Sequence, residues 1–161
     1  KLIEEIRRTG AALRLFTDGD IAAAIAPSIF DSGADLYIGV GGSPEAVLSA
    51  AALKCLGGDM QCTMWPRDEE ERAALIEAGY GDELNKVFTA NDLAIGQNII
   101  FCATGISDSP LLKGVQIRNH TAITHSVLMR AKSKTVRHIT TYHDLRSKTI
   151  HLRSDNREHR L

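Results

Sequence analysis

The sequence predicts an α/β fold, a layered sandwich of a mixed sheet with helices, its strands antiparallel toward the carboxyl end. Two observations carry this. Residues 12–64 alternate short apolar runs with helical periodicity, in the order strand, helix, strand, helix, strand. From Gly114 onward the pattern becomes a period-two alternation rich in Thr, Val and Ile, which is the signature of paired antiparallel strands.

Taken in order, Leu2, Ile3 and Ile6 among charges predict an amphipathic helix over 2–9, stopped by Gly10. Ala12–Phe16 is predicted as a strand that rises into the polar turn Thr17-Asp18-Gly19-Asp20. A helix over Ile21–Ile29 follows, bent or shortened by Pro27, and Ala34–Val40 reads as a compact apolar strand. The next helix is the best marked. Ser43 is predicted as its N-cap, Pro44 as its first residue, Glu45 complements the dipole, and Gly57-Gly58 ends it. Met60–Met64 is the third strand, Asp68–Ala78 is helical, and Asp82–Ala94 is helix or loop. Asn98–Ala103, Val115–Arg118, Thr121–Ala131 and Thr135–Tyr142 are strands, the last two joined by a hairpin turn at Ala131–Lys134. Residues 1–145 read as one α/β domain and 146–161 as a loose polar tail.

The chain has 161 residues, 43% hydrophobic and 24% charged, a globular composition rather than a disordered one. No apolar run approaches a membrane span and no leader pattern opens the chain, so neither membrane insertion nor secretion is expected. Cys55, Cys62 and Cys102 cannot all pair, and they are read as buried thiols in a reducing cytosol. The net charge of −1 hides an asymmetry. Residues 1–100 carry 8 Lys and Arg against 16 Asp and Glu, while residues 101–161 carry 11 against 4 and all six histidines. Phe101 and Tyr142 are the only aromatics of the basic half, too few for a nucleic-acid stacking platform. Attraction between halves or subunits, or an anionic ligand, suits the asymmetry better.

Chemistry concentrates at two turns, Asp18-Gly19-Asp20 and Gly41-Gly42-Ser43-Pro44-Glu45. Each opens a helix whose free N–H groups favour phosphate oxygens, and loops after strand ends line the crevice of an α/β sheet. Asp18, Asp20 and Glu45 can accept sugar hydroxyl hydrogen bonds or hold a hard divalent cation. Simpler roles compete: Asp20 as an N-cap, Asp18 as a turn stabiliser, and Glu45 as a first-turn dipole partner. Gly39-Val40-Gly41 lacks the third glycine of a dinucleotide fingerprint, and the histidines show no metal-ligand spacing.

Read together, Phe16-Thr-Asp-Gly-Asp-Ile-Ala-Ala-Ala24, Asp35-Leu-Tyr-Ile-Gly-Val-Gly-Gly-Ser-Pro-Glu-Ala46 and Gly58-Asp-Met60 resemble class II fructose-1,6-bisphosphatase. Ile100-Phe-Cys-Ala-Thr-Gly-Ile106 is similar to that family's FxATG segment. Thr124–Arg137 is similar to its T-x-S-x-x-x-R-x-K-S-x-T-[IV]-R segment. The resemblance runs from about Lys1 to Tyr142. It implies the fold of the lithium-sensitive, metal-dependent sugar phosphatases, a layered α/β/α/β/α arrangement. It further implies that Asp18, Gly19, Asp20 and Gly42 contact the sugar and that Glu45 ligates a divalent metal, Mn2+ or Mg2+. The activity implied is hydrolysis of the 1-phosphate of fructose 1,6-bisphosphate in cytoplasmic gluconeogenesis and glycerol growth, by a homo-oligomer without nucleic acid or membrane partners.

The family is roughly twice this length, and its front half carries most metal-binding carboxylates, including a D-P-[IL]-[DE]-G-T segment that this sequence lacks. The expectation is therefore a carboxyl-terminal half, partnered by a missing amino-terminal half and inactive alone. The alternatives are a non-catalytic sugar-phosphate or nucleotide binding module, or a scaffold that self-associates through an uncovered sheet surface.

Overall fold

A computed structural model of the chain describes residues 1–15 and 19–148. The predicted polar tail lies almost entirely outside these, as do Phe16, Thr17 and Asp18.

The helices form where capping and periodicity place them. Helix α1 spans Leu2–Arg8, with Glu4 and Glu5 in its first turn and Arg7 and Arg8 in its last, as the dipole favours. Helix α2 covers Asp20–Ile25 and tightens into a 3₁₀ turn at Ala26–Ser28, the shortening expected of Pro27. Helix α3 runs Ser43–Leu56 and ends on Gly57 at φ 87°, where the Gly57 and Gly58 N–H groups both donate to the Leu53 carbonyl. Its true N-cap is Gly42. Ser43 is already helical and makes no side-chain cap bond, which corrects the predicted capping.

Helix α4, Glu69–Leu75, is capped by the Asp68 carboxylate, which accepts from the Glu71 N–H at 2.8 Å. It loosens into a π turn at Ile76–Tyr80, which Gly79 breaks at φ 91°. The undecided stretch 82–94 resolves into a 3₁₀ turn at Gly81–Glu83, strand β2 at Phe88–Thr89 and helix α5 at Ala90–Leu93. A capping box starts α5, with the Thr89 N–H donating to Asp92 at 2.8 Å.

Two sheets are present among the described residues, and every ladder is antiparallel where a mixed sheet is expected, because the runs 12–15 and 34–40 join no ladder. The smaller pairs β1 (Gln61–Cys62) with β2. The larger is built on β5 (Thr121–Arg130), one edge of which β3 (Ile100–Thr104) and β4 (Gln116–Arg118) share, while β6 (Thr135–Asp144) pairs along the other. The hairpin register runs from Thr121↔Asp144 to Arg130↔Thr135, so the turn falls at residues 131–134 as predicted. The Thr104-Gly105 step ends β3, and a side chain on buried Gly105 would strike the Lys113 carbonyl.

Two predicted strands do not form. Residues 12–15 of the first and 34–40 of the second carry no ladder although their apolar runs have strand character, and Phe16, predicted to end the first, lies outside the described residues. A strand exists only through its neighbour's hydrogen bonds, and no described strand lies beside either run. Leu36 is accordingly 75% exposed and Ile38 and Val40 are also exposed. The third predicted strand, Met60–Met64, contracts to two residues.

The core lies between the larger sheet and the α2–α3 pair. Phe101, Val127, Met129 and Ala131 point inward from the sheet against Ile25, Ala52, Leu53 and Cys55. Strand alternation puts Ile100, Cys102 and Thr104 on the opposite, exposed face. That placement corrects the reading of three buried thiols: Cys55 is buried and Cys62 half-buried, but Cys102 is exposed. Burial pushes the Cys55 and Cys62 thiols up.

Met129 is fully buried in this core, and Met129→Ala is expected to cost about 2–5 kcal/mol in urea denaturation. Ile139→Ala, on the outer strand and 41% exposed, is expected to stay within roughly 1 kcal/mol of the parent.

Candidate functional site

Helices α2 and α3 follow a common course, and small residues permit it. Ala23 and Ala26 on α2 and its following turn, and Ala52 on α3, are buried and carry no more than a methyl group into their contacts, while Ala50 packs on another side of α3 against Ala90 and Ala94. Near the carboxyl ends, a side chain on Gly58 would overlap Ser28. At the amino ends, an Asp20 carboxylate oxygen lies 3.5 Å from where a Cβ on Gly41 would stand. The two helix starts therefore meet at one corner of the molecule.

Each half of this corner has a glycine for a different reason. Gly19, the N-cap of α2, sits at φ 82°, a left-handed conformation that an L side chain resists. Gly42, the N-cap of α3, has an ordinary extended backbone at φ −72° and ψ 157°. Its constraint is space, because a Cβ there would overlap the Glu45 carboxylate, which folds back over the start of its own helix. Ser43, Pro44 and Glu45 supply a first turn whose N–H groups lack intrahelical partners, apart from the missing N–H of Pro44.

Asp20 and Glu45 are both exposed, and neither has a hydrogen-bond or ion-pair partner among the described residues. They are acceptor-only groups open to an incoming ligand. Tyr37, which the sequence reading passed over, belongs to the same corner. Burial, and then the negative charge of Asp20, push its phenol up. Its ring also fills the space a side chain on Gly39 would need. The available signal was a lone polar-tipped aromatic within the apolar run 34–40, just before the glycine-rich turn.

Of the predicted site residues, Gly19, Asp20, Gly42 and Glu45 come together here, and Asp18 lies outside the described residues. Metal binding is supported in donor type but not in donor number. Glu45 offers one hard oxygen ligand, whereas Mn2+ and Mg2+ take about six. Among the described residues, no three His, Cys, Asp or Glu side chains gather closely enough to hold a metal ion. These residues alone do not build a metal centre.

Two helices that open at a shared corner of glycines and carboxylates put free backbone N–H groups and acidic side chains within reach of one ligand. Comparison with known proteins narrows this. Residues 1–143 match the family described as bacterial fructose-1,6-bisphosphatase, glpX-encoded. The fructose-1,6-bisphosphatase class 2 of Haemophilus influenzae is 37% identical, over 89% of this chain and 46% of its own length. Two Synechococcus proteins, each named D-fructose 1,6-bisphosphatase class 2/sedoheptulose 1,7-bisphosphatase, are 39% identical over 88% of this chain and 44% of theirs. The chain belongs to the class II fructose-1,6-bisphosphatase family, and it spans about half the length of the curated relatives it matches. No described helix is long and apolar enough to cross a membrane.

The Asp20 charge acts directly on the Tyr37 phenol, so Asp20→Asn is expected to lower the pH at which Tyr37 ionises. The burial contribution would remain and keep it above the ordinary tyrosine value. A near-ultraviolet titration of phenolate absorbance, with Tyr37→Phe to assign the signal, measures this. An unchanged Tyr37 titration would separate Asp20 from the corner.

Proposed function

We propose that this chain supplies the sugar-binding corner and one metal ligand of a phosphatase that hydrolyses the 1-phosphate of fructose 1,6-bisphosphate. The observation that carries the proposal is the meeting of Gly19, Asp20, Gly41, Gly42 and Glu45 where α2 and α3 begin. Asp18 and Asp20 accept hydrogen bonds from sugar hydroxyls. The absence of side chains at Gly19 and Gly42 lets the ring approach the backbone. Unpaired N–H groups of the first turn of α3 donate to the ligand's oxygens. Glu45 lends one oxygen to a divalent cation, Mn2+ or Mg2+, whose other ligands come from outside the described residues. When bound, such a cation polarises a phosphoryl group and makes its bound water more acidic.

Because the chain spans about half of its relatives and no three metal-ligating side chains gather among its described residues, it is the carboxyl-terminal half of the enzyme in this reading and inactive alone. The whole enzyme acts in cytoplasmic gluconeogenesis as a homo-oligomer. The names of the Synechococcus relatives support sedoheptulose 1,7-bisphosphate as a further substrate.

Phosphate release from fructose 1,6-bisphosphate, assayed with manganese, is expected to be at background for this chain. It should rise on addition or fusion of an amino-terminal half. In that active protein, Glu45→Gln is expected to lower kcat by about 100-fold or more, the scale on which single electrostatic groups act. Manganese-dependent turnover by the chain alone, or full activity of the glutamine variant, would overturn the assignment. Tight bisphosphate binding that ignores metal would favour a non-catalytic binding module.

A further inference from the structure

The R-x-K-S-x-T segment, Arg130–Thr135, lies well away from the corner just described. It forms the β5–β6 turn, which rests on the opposite end of α3. Nine residues separate Glu45 from Lys54, roughly 13 Å along the helix axis. Here Lys54, Asn91, Gln97, Ala131, Lys132 and Lys134 line an open cavity of about 330 Å³.

The charge around this cavity is one-sided. Three of its six lining residues are lysines and none is acidic. The ion pairs among the described residues join Arg67 to Glu71, Lys86 to Glu83 and Arg146 to Asp144, and none involves these lysines. Asp92, beside Asn91 in sequence, is turned to the Thr89 N–H and hydroxyl.

The ammonium groups are held but not used up. Lys54 donates to the Ala94 carbonyl at 2.8 Å and the Gly96 carbonyl at 2.7 Å, which leaves one of its three N–H groups. Lys134, at φ 49°, donates once to the Lys54 carbonyl, which leaves two. Lys132 has no partner among the described residues, so all three of its N–H groups are available. The amide side chains of Asn91 and Gln97 add neutral donors.

Two of the cations are thus fixed by backbone carbonyls, a third is exposed beside them, and none of the three is ion-paired among the described residues. We propose that this cavity is a second ligand site, specific for a small phosphorylated anion. Its volume is at the lower end for ligand pockets and suits a pyrophosphate-sized group. Lys54 and Lys134 form its floor and Lys132 closes over the bound oxygens. The positive excess of the carboxyl-terminal part of the sequence has one of its functions here.

Titration of the chain with inorganic pyrophosphate at constant ionic strength, followed by amide NMR, tests this. Saturable shifts are expected at residues 131–134 and Gln97, at concentrations that leave Gly42 and Glu45 unmoved. Lys132→Gln is expected to weaken binding about tenfold with no change in thermal midpoint, and Lys132→Glu to abolish it. Non-saturating shifts spread over all surface lysines, shifts confined to the Gly42–Glu45 corner, or unchanged affinity in both Lys132 variants would overturn the proposal. The sugar-binding assignment stands or falls separately, because it rests on the other end of α3.

Discussion

The structure depends on how closely α2 can lie against α3. Buried alanines at 23, 26 and 52 add little bulk between the two helices, Ile25, Leu53 and Cys55 join the core beneath them, and Ala50 packs instead against Ala90 and Ala94. A larger residue on this seam would force the axes apart, and an interior packed to crystal density has no slack to absorb it. The functional corner is a consequence of this contact. Asp20 faces Gly41 only because the helices that carry them start side by side.

The far end of α3 is held by different forces. There the carbonyls left over at a helix terminus meet ammonium groups: Lys134 reaches back from the β5–β6 turn to the Lys54 carbonyl, and Lys54 reaches across to Ala94 and Gly96. Helix α3 therefore separates two regions of opposite character. Its amino end presents carboxylates and free N–H groups, and its carboxyl end presents lysines. The sheet beneath fixes both, since β3, β5 and the hairpin all pack into the core that α3 completes.

Local chemistry was legible in the sequence where it is self-contained. Glycines past Leu56 ended α3 where the sequence placed the stop, Pro27 shortened α2, and the period-two alternation located β4, β5 and β6 to within a few residues. The runs 12–16 and 34–40 read as strands because short apolar segments bounded by turn residues report a propensity. Whether a ladder forms depends on a neighbour that no local pattern specifies. Capping at α3 was misplaced by one residue, because Ser43 and Gly42 both suit an N-cap and only backbone geometry separates them. In the site, the glycine turns were visible from residue type and spacing. Tyr37 was not, since its approach to Asp20 is a tertiary fact between residues seventeen positions apart.

Both halves of the corner, the start of α2 and the start of α3, must answer to one ligand. Amide NMR of the chain titrated with fructose 1,6-bisphosphate tests this directly. Gly19 and Asp20 are expected to shift together with Gly41, Gly42 and Glu45, along a single saturation curve with a common midpoint. Response of only one half, separate midpoints for the two, or no saturable response at either would contradict a shared site.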